Sequence, residues 1–132
     1  MRYFKELEAL LNASSAPYSG FNVASIVVTE TGEVFKGVNV ESVAYPTTIC
    51  AERNAIFSAI TQGVQTGEIR EVHILARNAQ KAFVAAFPCG SCRQVIAEQS
   101  FNKAKVYVYS SETEVSEHTI EALLPHAFFS LT

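Results

Sequence analysis

Two cysteines one helical turn apart behind a proline, in Phe87-Pro88-Cys89-Gly90-Ser91-Cys92-Arg93-Gln94-Val95, constrain this chain more than any other feature. The stretch after Pro88 reads as a helix over 89–99. Both sulfurs therefore fall at a helix start, where backbone N–H groups point outward and the dipole favours thiolate over thiol. Three readings fit such a pair: a thiol redox couple, half of a structural zinc site, or part of a catalytic metal centre.

The third and last cysteine, Cys50, narrows the choice. It opens a second predicted helix, over 50–62, so three thiolates can converge from two helix starts as three corners of a zinc tetrahedron. There is no fourth cysteine, and His73, His118 and His126 lie mid-strand or near the C-terminus. A closed structural site needs four protein ligands, whereas three leave a position for water, the catalytic arrangement. Glu52, in the same first turn as Cys50, can reach over the helix end to take a proton from that water and return it to a leaving group. Three thiolates against one divalent zinc leave surplus negative charge, which blunts the metal as a Lewis acid. Arg53 is placed to offset it, with Arg93 as the second candidate. A redox pair needs neither Cys50 nor Glu52. A structural zinc site needs a fourth ligand such as His73.

The rest of the chain supplies an α/β frame. With 132 residues, 48% of them hydrophobic, it suits one domain over 1–132 with a real core. The hydrophobic periodicity and the turn residues predict an amphipathic helix over 2–13, a hairpin of strands 21–29 and 34–38, and a loop over 39–49. A strand follows over 72–76, then strands over 106–109 and 114–118 and a short helix over 119–124. The sum is a mixed sheet sandwiched by helices. The formal charge is −3, all the acidic residues are glutamate, and no basic run marks a phosphate-tracking groove, so nucleic acid is not an expected partner. No apolar run reaches the ~20 residues of a membrane span, and the N-terminus is charged and helix-periodic rather than a signal peptide. An odd number of cysteines makes a poor disulfide framework and points to a reducing, cytoplasmic setting.

Cys50-Ala51-Glu52-Arg53 together with Pro88-Cys89-Gly90-Ser91-Cys92-Arg93-Gln94-Val95 resembles the zinc-dependent cytidine deaminase family in its short homotetrameric form. The order of metal ligand, one residue, Glu, and later P-C-x-x-C is the general zinc-deaminase pattern. The resemblance extends to Ala16-Pro17-Tyr18-Ser19 with Phe21, to Asn39-Val40-Glu41, to Tyr45, and to Leu123-Leu124-Pro125 with Phe128, nearly the whole chain. It implies an α-β-α sandwich with a five-stranded mixed sheet, and one Zn²⁺ per subunit on Cys50, Cys89 and Cys92. It implies hydrolytic deamination of cytidine and 2′-deoxycytidine to uridine and 2′-deoxyuridine in pyrimidine salvage, with zinc-held hydroxide attacking C4 and Glu52 shuttling protons. Arg53 would hydrogen-bond the thiolates. Asn39 and Glu41 would hold the ribose, Phe21 would pack on the base, and Tyr45 and Ala51 would complete the substrate contacts. Phe128 would reach a neighbouring subunit's pocket in a homotetramer with shared active sites. Gly20, where the family often has lysine, and Val43 and Pro46 depart from the pattern near the substrate. Blasticidin-type deaminases share the zinc motif, so blasticidin S is the alternative substrate.

Overall fold

The computed structural model describes residues 2–131. Helix α1 (Phe4–Leu10) tightens into a 3-10 turn over Leu11–Ala13, so the expected helix over 2–13 is present in two pieces. β1 (Asn22–Thr29) and β2 (Val34–Val38) form the expected hairpin. They are followed by α2 (Ala51–Thr61), β3 (Ile69–Arg77), β4 (Phe83–Val84), α3 (Gly90–Gln99), β5 (Lys105–Ser111), β6 (Glu114–Thr119) and α4 (Ile120–Leu123).

The sheet runs β2-β1-β3-β5-β6, with β4 paired to the end of β3. The five-stranded sheet expected from the resemblance is thus joined by a sixth strand of two residues, held by the pairs Ala76–Val84 and Arg77–Phe83. Two residues are too short for any periodic signal, and only the pairing defines them. β3 also outruns its predicted 72–76, because Ile69 pairs with Thr29 of β1 and Glu71 with Lys105 of β5. β3 and β5 are parallel, which demands a crossover, and α3 supplies it. The start of α3 accordingly lies beyond the carboxyl end of β3, the edge where open α/β sheets place their ligands.

Two apolar layers flank the sheet. On one face Val27, Val72, Ile74, Val106 and Val108 meet Ala55, Ile56 and Ala59 of α2 and Ile96 and Ala97 of α3. On the other, Phe4, Leu7 and Leu11 cover Ala24, Ile26, Val28 and Leu75. The alternation along β3 sends His73 to the second face with Leu75. There it is buried, with Nδ1 2.8 Å from the Tyr109 hydroxyl and Nε2 2.8 Å from Glu71, and its ring stacks on Tyr107 at 4.6 Å. Burial lowers its pKa, against the Glu71 hydrogen bond that raises it.

α2 is seated closely on β2. A Cβ at Gly37 would stand 2.3 Å from the Ala55 nitrogen and 2.6 Å from the Ala51 carbonyl oxygen. Asn54 fastens the same helix by donating from Nδ2 to the Val38 carbonyl at 3.0 Å. Among the described residues no helix is long and apolar enough to cross a membrane.

Candidate metal centre

Cys50 is the N-cap of α2 and Cys89 the N-cap of α3, both with extended backbone. Neither side chain accepts the capping hydrogen bond that serine or aspartate accepts at that position. Instead the two sulfurs face each other 3.8 Å apart, and Cys92, one turn into α3, brings the third. All three lie within 4.8 Å of one another. Four ligands at about 2.3 Å around a tetrahedral zinc stand about 3.8 Å apart, the Cys50–Cys89 spacing, so the donor set fits the metal in chemistry and this pair fits it in spacing. Among the described residues no fourth His, Cys, Asp or Glu joins the cluster. His73, the residue a closed structural site would need, is on the opposite face of the sheet.

The surroundings favour a thiolate at Cys50. A hydrogen bond from Cys92 holds the Cys50 thiol down at about 5, with further help from Arg53 and Cys89 and against the cost of burial. Cys92, as the donor, is pushed up in turn, and burial adds to the rise. Arg53 Nη2 stands 3.4 Å from Cys50 Sγ, where sequence reasoning placed it. Arg93 does not share that duty. Its Nε donates to the Pro88 carbonyl at 2.7 Å and its Nη1 to the Leu123 carbonyl at 2.8 Å, tying the cysteine loop to α4.

Beside the sulfurs lies a cleft of about 220 Å³, smaller than the ~300–1,000 Å³ of drug-sized pockets and suited to a small metabolite. Cys50, Ala51, Glu52, Cys89, Phe21, Asn39 and Glu41 all line it. Glu52 is 5% exposed. Burial raises its carboxyl to about 7, the negative Cys50 adds to the rise, and its own backbone N–H and Arg53 oppose it. A carboxylate that is easily protonated thus sits next to the metal cluster. Val23, Ile49, Ile74, Ala86 and Phe87 complete the apolar walls. Sequence reasoning missed these five, since each reads there as an ordinary strand or loop residue.

One expected contact is differently placed: Tyr45 is 76% exposed and does not line the cleft. Phe128, expected at a neighbouring subunit's pocket rather than its own, is 62% exposed and stands outside the cleft of its own chain. Asn39 does line it, yet its side chain is largely committed. Its Oδ1 accepts from the Val23 N–H at 2.9 Å and from the Ser14 hydroxyl, and its Nδ2 donates to the Phe21 carbonyl at 2.8 Å. One amide N–H remains.

Three thiolates from two helix starts, an adjacent buried carboxylate and a small cleft between them define a metal-assisted hydrolase centre. The chain belongs to the family described as the cytidine and deoxycytidylate deaminase zinc-binding region, whose model matches residues 2–109. It is 40% identical over 112 residues to a cytidine deaminase of Sporosarcina psychrophila, covering 85% of this chain and 78% of that one. A crystal structure of cytidine deaminase from Burkholderia pseudomallei superposes with a TM-score of 0.86 at 34% identity, covering 96% of this chain and 97% of that chain. A blasticidin-S deaminase of Bacillus cereus is more distant, 26% identical over 106 residues, covering 79% of this chain and 74% of that one.

Proposed function

We propose that the chain hydrolyses cytidine and 2′-deoxycytidine to uridine and 2′-deoxyuridine with release of ammonia. The observation that carries this reading is the buried Glu52 beside the Cys50–Cys89–Cys92 cluster, in one cleft with Asn39 and Glu41. Cys50, Cys89 and Cys92 hold zinc, which when bound lowers the pKa of water enough to provide a nucleophile at neutral pH. Glu52 takes the proton from the attacking water and delivers it to the departing amino nitrogen, so cytidine and water leave as uridine and ammonia. Arg53 offsets thiolate charge at Cys50. Phe21 and Ala51 flank the base. The free N–H of Asn39 and the carboxylate of Glu41 meet the sugar hydroxyls. The acceptor half of the Asn39 amide, expected to serve the sugar too, is spent on Val23 and Ser14.

Ultraviolet absorbance with cytidine, 2′-deoxycytidine, cytosine and blasticidin S side by side tests the substrate. Both nucleosides are expected to turn over. Cytosine leaves Asn39 and Glu41 without partners and is expected to fall behind by at least about tenfold in kcat/KM per lost contact. Faster turnover of blasticidin S than of either nucleoside, or no turnover at all, overturns the reading. The metal content under reducing conditions then separates a structural zinc module from a thiol redox protein.

The exposed Phe128 belongs to the same reading as a contact made across subunits, while Tyr45 lines an outer cavity beside Glu41. Phe57 and Ile60 of α2 are exposed as well. A homotetramer of about 58 kDa, four times 14.4 kDa, with closed symmetry would cover such surface and bring Phe128 to a neighbour's cleft. Light scattering should give that mass, and an active species at 14.4 kDa removes the shared site and the role of Phe128 with it. A reducing cytoplasm, which keeps the three thiols available for metal, is the setting that goes with this function.

A further inference from the structure

Glu41 sits at the boundary between two cavities. It lines the 220 Å³ cleft beside the sulfurs, and also an outer cavity of about 390 Å³ formed with Tyr18, Ser19, Ser42, Tyr45 and Thr48. A half-buried glutamate with three rotatable bonds between two open spaces has many places to point. Here its direction is fixed by a single turn of chain. The backbone N–H groups of Tyr18 and Ser19 both donate to Oε1 at 3.0 Å, and the Ser19 hydroxyl donates to Oε2. The same hydroxyl accepts from the Phe21 N–H at 2.9 Å. A serine hydroxyl has one proton, and accepting from Phe21 leaves that proton to be directed at Glu41. One side chain therefore links the carboxylate to the backbone of the residue that lines the base end of the cleft. Gly20, between them, makes the turn with φ +69° and with Ala79 Cβ 3.0 Å from where its own Cβ would stand. Glycine takes that left-handed φ without strain and leaves the Ala79 methyl its room.

We propose that Ser19 is a positioning residue for the reaction, aiming the Glu41 carboxylate at the sugar and thereby setting the preference for hydroxyl-bearing nucleosides. The proposal rests on the reading of Glu41 as a sugar contact. The hydrogen bond from Ser19 is also the main cause holding the Glu41 carboxyl below its ordinary pKa, with the two N–H groups adding and burial opposing. Glu41 is thus kept an ionised acceptor. In Ser19→Ala the two bonds to Oε1 persist, but Oε2 is released and the carboxylate can turn toward the outer cavity.

The test is kcat and KM for cytidine and for 2′,3′-dideoxycytidine, which lacks the hydroxyls Glu41 would meet. Wild type, Ser19→Ala, Ser19→Thr, Glu41→Ala and the Ser19→Ala/Glu41→Ala double variant are compared. Ser19→Ala is expected to lower kcat/KM for cytidine about tenfold, the low end for one hydrogen bond to a charged group, mostly through KM. Dideoxycytidine should change little, Ser19→Thr should restore the wild-type ratio, and Ser19→Ala should add less than about twofold once Glu41 is gone. Equal losses for both substrates, or full additivity with Glu41→Ala, would mean that Ser19 only stabilises the turn and would overturn the proposal. If Glu41→Ala itself leaves the substrate ratio unchanged, the sugar reading of Glu41 fails and this proposal with it. If Glu41→Ala shifts the ratio and Ser19→Ala does not, only the Ser19 proposal fails.

Discussion

Glu52→Gln is expected to keep stoichiometric zinc and the native assembly while losing activity by at least the ~10²–10⁴-fold typical of a general acid–base residue. The swap preserves shape and removes only the ability to carry a proton. It leaves the three sulfurs untouched, and it replaces a buried group of 5% exposure by a neutral one of the same size, so folding has little reason to suffer. Zinc content, size-exclusion profile and kcat measured on one preparation separate the roles. Near-full turnover in Glu52→Gln would remove the proton shuttle from Glu52 and require another base in the cleft.

Cys89→Ala is expected to give the converse result, with metal lost and activity lost as a consequence. Cys89 is the exposed member of the cluster, whereas Cys92 is buried, so truncating Cys89 disturbs the core least. Two thiolates hold zinc poorly, and the loss of affinity should exceed the ~10–100-fold that removal of an outer partner costs. A drop in thermal stability should accompany it. A metal held by Cys50 and Cys89 closes a stretch of 39 residues, and that constraint on the unfolded chain disappears with the ligand. Full zinc occupancy in Cys89→Ala would show that another group coordinates.

The metal centre was legible in the sequence because its spacing is local. Cys89 and Cys92 are fixed by one helical turn, and Cys50, Glu52 and Arg53 by another. Only the meeting of the two helix starts is tertiary, and the lack of alternative ligands in the sequence forces it. The cross-chain ties were not legible. Arg93 follows a zinc cysteine and so looks like a charge for the thiolates, yet it spends its donors on the Pro88 and Leu123 carbonyls, 30 residues of chain apart from the latter. Asn39 reads as a polar loop residue with four hydrogen-bonding positions to offer, and three donors and acceptors of the chain itself fill most of them. β4 and the first part of β3 owe their extended form to neighbours rather than to their own pattern. Tyr45 and Phe128 carry no local signal of where they point, and the isolated chain leaves both outside its cleft.

The contact of α2 with Gly37 bears on how this protein could be redesigned. Most helices ride on a cushion of side chains that can be thinned or thickened, and the groups they present move accordingly. Here backbone rests on backbone, so the height of Ala51 and Glu52 above β2 is a fixed reference. Even one added methyl group at Gly37 would have to lift the helix and carry Cys50 away from Cys89, or fail to pack. The floor of the cleft is therefore not a place where substrate range can be tuned. Variation that widens or reshapes the cleft has to come from its rim, the loops of residues 16–21, 39–49 and 85–88, and the departures at Gly20, Val43 and Pro46 all fall in the first two of these.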